Sequence, residues 1–200
     1  MKKEHASVGI IILAAGNSSR LGQAKQLLQF KNKSLIRNVA DEALAADVGN
    51  VIVVTGANQE AVSRELADLP VHFAHNPDWQ QGMGSSIRTG LTKLLKLDQN
   101  TNSVILAVSD QPFVTSELFQ NLIEAAKIED KTIVACAYQN TMGTPVLFKN
   151  QYFDALKLLE GAEGAKKLLK KFGTDVSYVP FQQGEIDIDT MEDFEKLQQS

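Results

Sequence analysis

Short β-branched runs alternate with stretches of helical periodicity along nearly the whole chain. That alternation constrains the fold more than any other feature. Residues 8–13 form an almost unbroken apolar run, as a strand buried on both faces requires. Residues 34–46 then place Leu35, Ile36, Val39, Ala43 and Leu44 on one helical stripe. The spacing predicts strands at 51–54, 71–74, 104–108, 132–138, 145–148 and 176–179. It predicts helices at 59–66, 85–97, 115–126, 151–159, 164–172 and 191–198, the last preceded by Thr190 with Asp193 at capping-box spacing. Strand and helix in alternation imply an α/β fold with a mainly parallel central sheet and right-handed connections. With 200 residues and no linker, repeat or low-complexity tract, the chain reads as one domain over residues 1–200.

Composition narrows the class of function. Lys and Arg total 20 against 24 Asp and Glu, a net charge of -4. This argues against a nucleic-acid binder and leaves room for a local basic pocket. Cys136 is the sole cysteine, so an intramolecular disulfide or thiolate metal cluster is excluded, and its apolar surroundings point to an inert thiol. His72 and His75 stand three apart in an expected strand, on opposite faces, which argues against a zinc pair. The apolar run 8–15 falls far short of the ~20 residues that span a bilayer, so no membrane association and a cytoplasmic location are expected.

In open sheets of this kind ligands bind beyond the carboxyl ends of the strands. The first strand runs into Leu13-Ala14-Ala15-Gly16-Asn17-Ser18-Ser19-Arg20-Leu21-Gly22-Gln23-Ala24-Lys25. Small residues there suit an anion-binding nest, and Gly16 and Gly22 would allow positive φ and close approach to a ligand. Arg20 and Lys25 would neutralise a polyphosphate. The loop is neither a Walker sequence nor G-x-G-x-x-G. Asp110, in Ser109-Asp110-Gln111-Pro112, follows a strand and suits Mg²⁺, or merely starts a turn. Asp187 and Asp189 share one face of an extended segment, and either one can supply a second carboxylate. Gly82-Met83-Gly84-Ser85-Ser86 opens a helix and can present N–H and hydroxyl groups to a base. Gly143-Thr144-Pro145 reads as a tight turn facing the site. The lysines at 166, 167, 170 and 171 read as a solvated helix face.

Taken in order, these elements resemble the nucleotidyltransferases that activate phosphorylated small molecules with NTP. The molybdenum cofactor nucleotidyltransferases, in particular the cytidylyltransferases, are the most similar branch. The resemblance rests on 13–25, Asn76-Pro77-Asp78-Trp79 with Gly82–Ser86, Asp110-Gln111-Pro112, Gly143-Thr144-Pro145, 164–169 and 187–193, and it spans about residues 8–198. It implies a Rossmann-like three-layer α/β/α nucleotidyltransferase domain. It further implies that Leu13, Ala14, Ala15, Gly16 and Ser86 hold base and ribose, while Arg20 and Lys25 hold the triphosphate. Asp110 and Asp189, with Asp187 as the alternative, would hold Mg²⁺. Gly143, Thr144 and Pro145 would border the acceptor. Ala15-Gly16, in place of Gly-Gly, resembles cytidylyl more than guanylyl enzymes.

The implied reaction moves CMP from CTP to the phosphate of a molybdopterin-type cofactor and releases pyrophosphate. Lys25, Arg20 and Asp110 would carry the catalysis. A phosphate monoester is largely dianionic at pH 7 and needs no strong base. Rivals are a GTP-dependent or sugar- or alditol-phosphate nucleotidyltransferase, a glycosyltransferase of similar fold, and a non-catalytic chaperone that docks a molybdoenzyme.

Overall fold

The computed structural model describes residues 7–18, 23–139, 141–186, 188 and 191–198. Its first strand, β1 (Ser7–Ala14), shows why the chain makes three layers. Val8, Ile10, Ile12 and Ala14 pack into one apolar cluster, while Ile11 and Leu13 pack into another on the opposite face. β4 (Val51–Thr55) alternates in the same way, with Val51 and Val53 against Ile52 and Val54. Side chains of successive strand residues point to opposite faces, so a strand apolar at every position needs helices on both sides.

One face is covered by α1 (Leu35–Ala45), α2 (Gln59–Glu65) and α4 (Ser116–Ile128). The other is covered by α3 (Met83–Leu97), α5 (Phe153–Lys157) and α6 (Ala165–Lys171). The remaining strands are β5 (His72–His75), β6 (Thr101–Val108), β7 (Ile133–Tyr138), β8 (Thr141–Lys149) and β9 (Val176–Pro180). The sheet order is β5-β4-β1-β6-β8-β7-β9. β8 runs antiparallel to β6 and β7, and the other neighbours are parallel. The mainly parallel three-layer α/β/α architecture is the one expected. α7 (Met191–Gln198) falls where periodicity predicts it, and its expected cap Thr190 lies outside the described residues.

Three local expectations need correction. Residues 143–145 are not a tight turn. They lie inside β8, where Ala135 pairs with Val146 but Cys136 pairs with Gly143, so Thr144 and Pro145 bulge out of the ladder. Proline has no N–H to donate there. Residues 151–159 are not one helix: a 3-10 turn, Asn150–Tyr152, precedes α5. Its Tyr152 ring is drawn into the core against Phe148 and Phe172, and its hydroxyl donates to Asp175 at 2.6 Å. A hairpin of β2 (Gln29–Phe30) and β3 (Lys33–Ser34) was not foreseen. Its Lys31 and Asn32 have φ of 51° and 67°, the geometry of a two-residue primed turn without the usual Asn-Gly signal.

Candidate active site

Asp110 follows the carboxyl end of β6, and Lys25 opens a 3-10 turn, Lys25–Leu27, on the far side of the β1 loop. Sheet order makes β1 and β6 neighbours, which brings Lys25 Nζ to 2.7 Å from Asp110 Oδ2. The side chains are only 13% and 22% exposed, so much of the pair's field is unscreened by water.

The loop after β1 is held by its own polar groups. Buried Gln26 donates from Nε2 to the carbonyls of Ala14 and Gly16, both at 3.2 Å. The Lys25 N–H donates to the Ser18 hydroxyl at 2.9 Å. Among the described loop residues the left-handed conformation belongs to Ser18, with φ of 53°, and not to Gly16. Gly22 lies outside the described residues. A Cβ on Gly16 would meet nothing within 4 Å, so the glycine opens onto free space.

Leu13, Ala14, Ala15, Gly16, Lys25, Ser86 and Asp110 line one cavity of about 380 Å³, together with Trp79 and Met83. The residues expected to bind nucleotide and described by the structure are thereby brought together. A hydrogen-bond network that sequence reasoning left unassigned builds the opposite wall. Asn76, 1% exposed, donates from Nδ2 to the hydroxyls of Ser85 at 2.8 Å and Ser86 at 3.0 Å. The Ser85 hydroxyl donates to the Gly82 carbonyl at 2.8 Å. Ser86 accepts from Asn76, and its own O–H remains a donor on the cavity wall. Gly82 has φ of 100°, and a Cβ there would stand 2.2 Å from the Gly161 carbonyl oxygen. Glycine is required on both counts.

A second cavity of about 460 Å³ shares Met83, Val108 and Asp110 with the first, so the two form one cleft with Asp110 at the seam. Of the three residues expected to border an acceptor, Thr144 lines this cavity, while Gly143 and Pro145 are buried in β8. Gln111, also buried, ties the cavity together: its Nε2 donates to the Thr144 carbonyl at 3.0 Å and the Gly184 carbonyl at 3.3 Å. Lys166 is exposed, as expected of a solvated helix face, and also lines this cavity.

Asp110 is a hard oxygen donor of the type Mg²⁺ takes, and the Lys25 ammonium already sits on its carboxylate as a cation. Asp189, Asp187 and Arg20 lie outside the described residues, and among the described residues no three His, Cys, Asp or Glu converge on one point. Cys136 is buried, and burial pushes its thiol up to about 12, as an inert thiol requires. No helix is long and apolar enough to cross a membrane among the described residues.

The sequence pattern of the MobA-like NTP transferase domain matches residues 10–176. The purine catabolism protein PucB of Bacillus subtilis is 26% identical over 202 residues, covering 95% of each chain. The bifunctional protein GlmU of Francisella philomiragia is 27% identical over 172 residues, and this chain matches 37% of that protein's length. A crystal structure of the Mycobacterium tuberculosis rv0371c homologue from Mycobacterium sp. strain JC1 superposes with a TM-score of 0.84 at 27% identity, covering 97% of this chain and 96% of that one. The molybdopterin-guanine dinucleotide biosynthesis protein A of Archaeoglobus fulgidus shares the fold, with a TM-score of 0.68 at 16% identity over 96% and 97% of the two chains.

Proposed function

The chain belongs to the MobA-like NTP transferase domain family, and from that premise we propose that it transfers CMP from CTP to the phosphate of a molybdopterin-type cofactor. The observation that carries the reading is the divided cleft: a cavity walled by the β1 loop, a second cavity beside it, and Asp110 with Lys25 where they meet. Such a cleft seats two ligands end to end, as a group transfer between them requires.

In this reading the 13–16 backbone and Ser86 bind base and ribose. An acceptor phosphate oxygen attacks the α-phosphorus in line, the bond to the β-phosphate breaks, and pyrophosphate leaves. The dianionic acceptor already carries the attacking electron pair, so no side chain needs to remove a proton. Lys25 neutralises charge that builds on the departing phosphates, and Arg20 would share that task. Asp110, with Asp189 or alternatively Asp187, would hold Mg²⁺, which supplies charge neutralisation between two anionic ligands. An incoming triphosphate competes with Asp110 for the Lys25 ammonium, and so frees a carboxylate oxygen as the nucleotide binds. Ala15 beside the base cavity supports cytosine over guanine through its resemblance to cytidylyl enzymes. The reaction is expected in the cytoplasm.

The test begins with thermal shifts in CTP, GTP, ATP and UTP, each with and without Mg²⁺. A ligand at 100 times its Kd adds about 2.7 kcal/mol of stability. A Mg²⁺-dependent shift selective for CTP, followed by pyrophosphate release with the molybdopterin-type acceptor, is expected. Asp110→Ala should lower turnover at least 100-fold and leave the chain folded. Selectivity for GTP would overturn the base assignment. Nucleotide binding without pyrophosphate release would favour a chaperone for a molybdoenzyme.

A further inference from the structure

The second cavity is lined by two carboxylates, Asp110 and Glu185, and among its described lining residues by one cation, Lys166. Lys25 offsets Asp110 at the seam, but Glu185 leaves the rest of the lining acidic, so an anionic acceptor gains from a counter-charge there.

Lys166 is placed for this by the strand opposite. A Cβ on Gly143 would stand 2.0 Å from the Tyr138 hydroxyl and 3.5 Å from Lys166 Cε. The absence of a side chain at 143 is therefore what admits the tyrosine hydroxyl over β8, with the lysine stem beside it. Both groups line the cavity, and both carry N–H or O–H donors. Its helix neighbour Lys167 is committed to Glu163. Among the described residues Lys166 has no such carboxylate partner. Buried Ala165, Leu168 and Leu169 anchor α6 in the core and fix which of its lysines reaches the cleft.

We propose that Lys166, steadied over Gly143 beside Tyr138, receives the anionic group of the acceptor, a phosphate monoester. The occupant's identity rests on the transferase reading; the anion subsite does not. Lys166 thus sets acceptor affinity, while Lys25 serves the nucleotide in the adjoining cavity.

Two measurements on the 200-residue chain separate these claims. In the first, limited acetylation of lysines by an N-hydroxysuccinimide ester is followed by peptide mass mapping, with and without inorganic phosphate. Phosphate should slow the acetylation of Lys166 and leave that of Lys170 and Lys171 unchanged. Equal protection of the three lysines, or labelling of Lys166 that phosphate does not reduce, overturns the subsite. In the second, steady-state kinetics use CTP and the molybdopterin-type acceptor. Lys166→Gln should raise the acceptor KM at least tenfold, about 1.4 kcal/mol. The KM for CTP should stay within twofold, and Lys166→Arg should recover most of the loss. An unchanged acceptor KM, or an equal rise in both KM values, overturns the proposal with the transferase reading intact. Selective, phosphate-protected labelling without turnover supports the subsite and rejects the transferase reading.

Discussion

At the scale of single residues, burial separates reactive from inert chemistry in this chain. Lys25 and Asp110 sit at a cleft, partly exposed, where a ligand can exchange with either partner. Cys136 is fully buried in β7, and its thiol is raised from 9.0 to about 12 by desolvation. The folded chain therefore holds this proton more tightly than the unfolded chain does. Stability from this group is complete below about pH 9 and is lost as pH climbs from 9 toward 12. A chromogenic disulfide reagent at pH 8 should leave Cys136 unmodified in the native protein and react once denaturant unfolds it. Rapid native reaction would contradict the buried placement.

Among elements, the position of α3 relative to the sheet is decided by a glycine. A Cβ on Gly90 would meet the Ile11 and Val54 Cγ2 methyls at 2.6 and 2.8 Å. Both are stiff β-branched residues with no exposure. Alanine in a helix gains up to about 1 kcal/mol over glycine, whereas overpacking a dense core costs about 1–3 kcal/mol. Packing should win, so Gly90→Ala is expected to lower the urea midpoint and to cost about 1–2 kcal/mol of net stability. Gly164→Ala offers the contrast, because its Cβ would meet only the flexible Met83 sulfur, at 2.5 Å. Its urea midpoint should barely move, and a large loss would show that Met83 cannot yield.

The molecule as a whole joins two cavities into one cleft, and its sole tryptophan, Trp79, lines only the cavity walled by the β1 loop, the proposed nucleotide site. Titration with CTP and Mg²⁺ should change the tryptophan emission saturably, whereas inorganic phosphate alone should leave it nearly unaltered. Emission indifferent to every NTP would reject the first cavity as the nucleotide site. The parts of this site that were legible beforehand are local ones. Leu13 and Ala14 close a strand, Ala15, Gly16 and Asp110 follow one, and Lys25 and Ser86 lie in first helical turns, and hydrophobic period marks where strands end. The unforeseen parts are contacts across the sheet: Gln111 bridging Thr144 and Gly184, Asn76 clamping Ser85 and Ser86, and Lys166 crossing Gly143. The bulge at Thr144-Pro145 belongs with them, since register is a property of two strands together. Sequence alone determined the mainly parallel α/β class and the strand-end loops, because periodicity and small-residue turns act over a few residues. Only the tertiary structure decided which loops share a cleft and which lysine faces it. Those outcomes depend on strand order and on close packing between segments far apart in the chain.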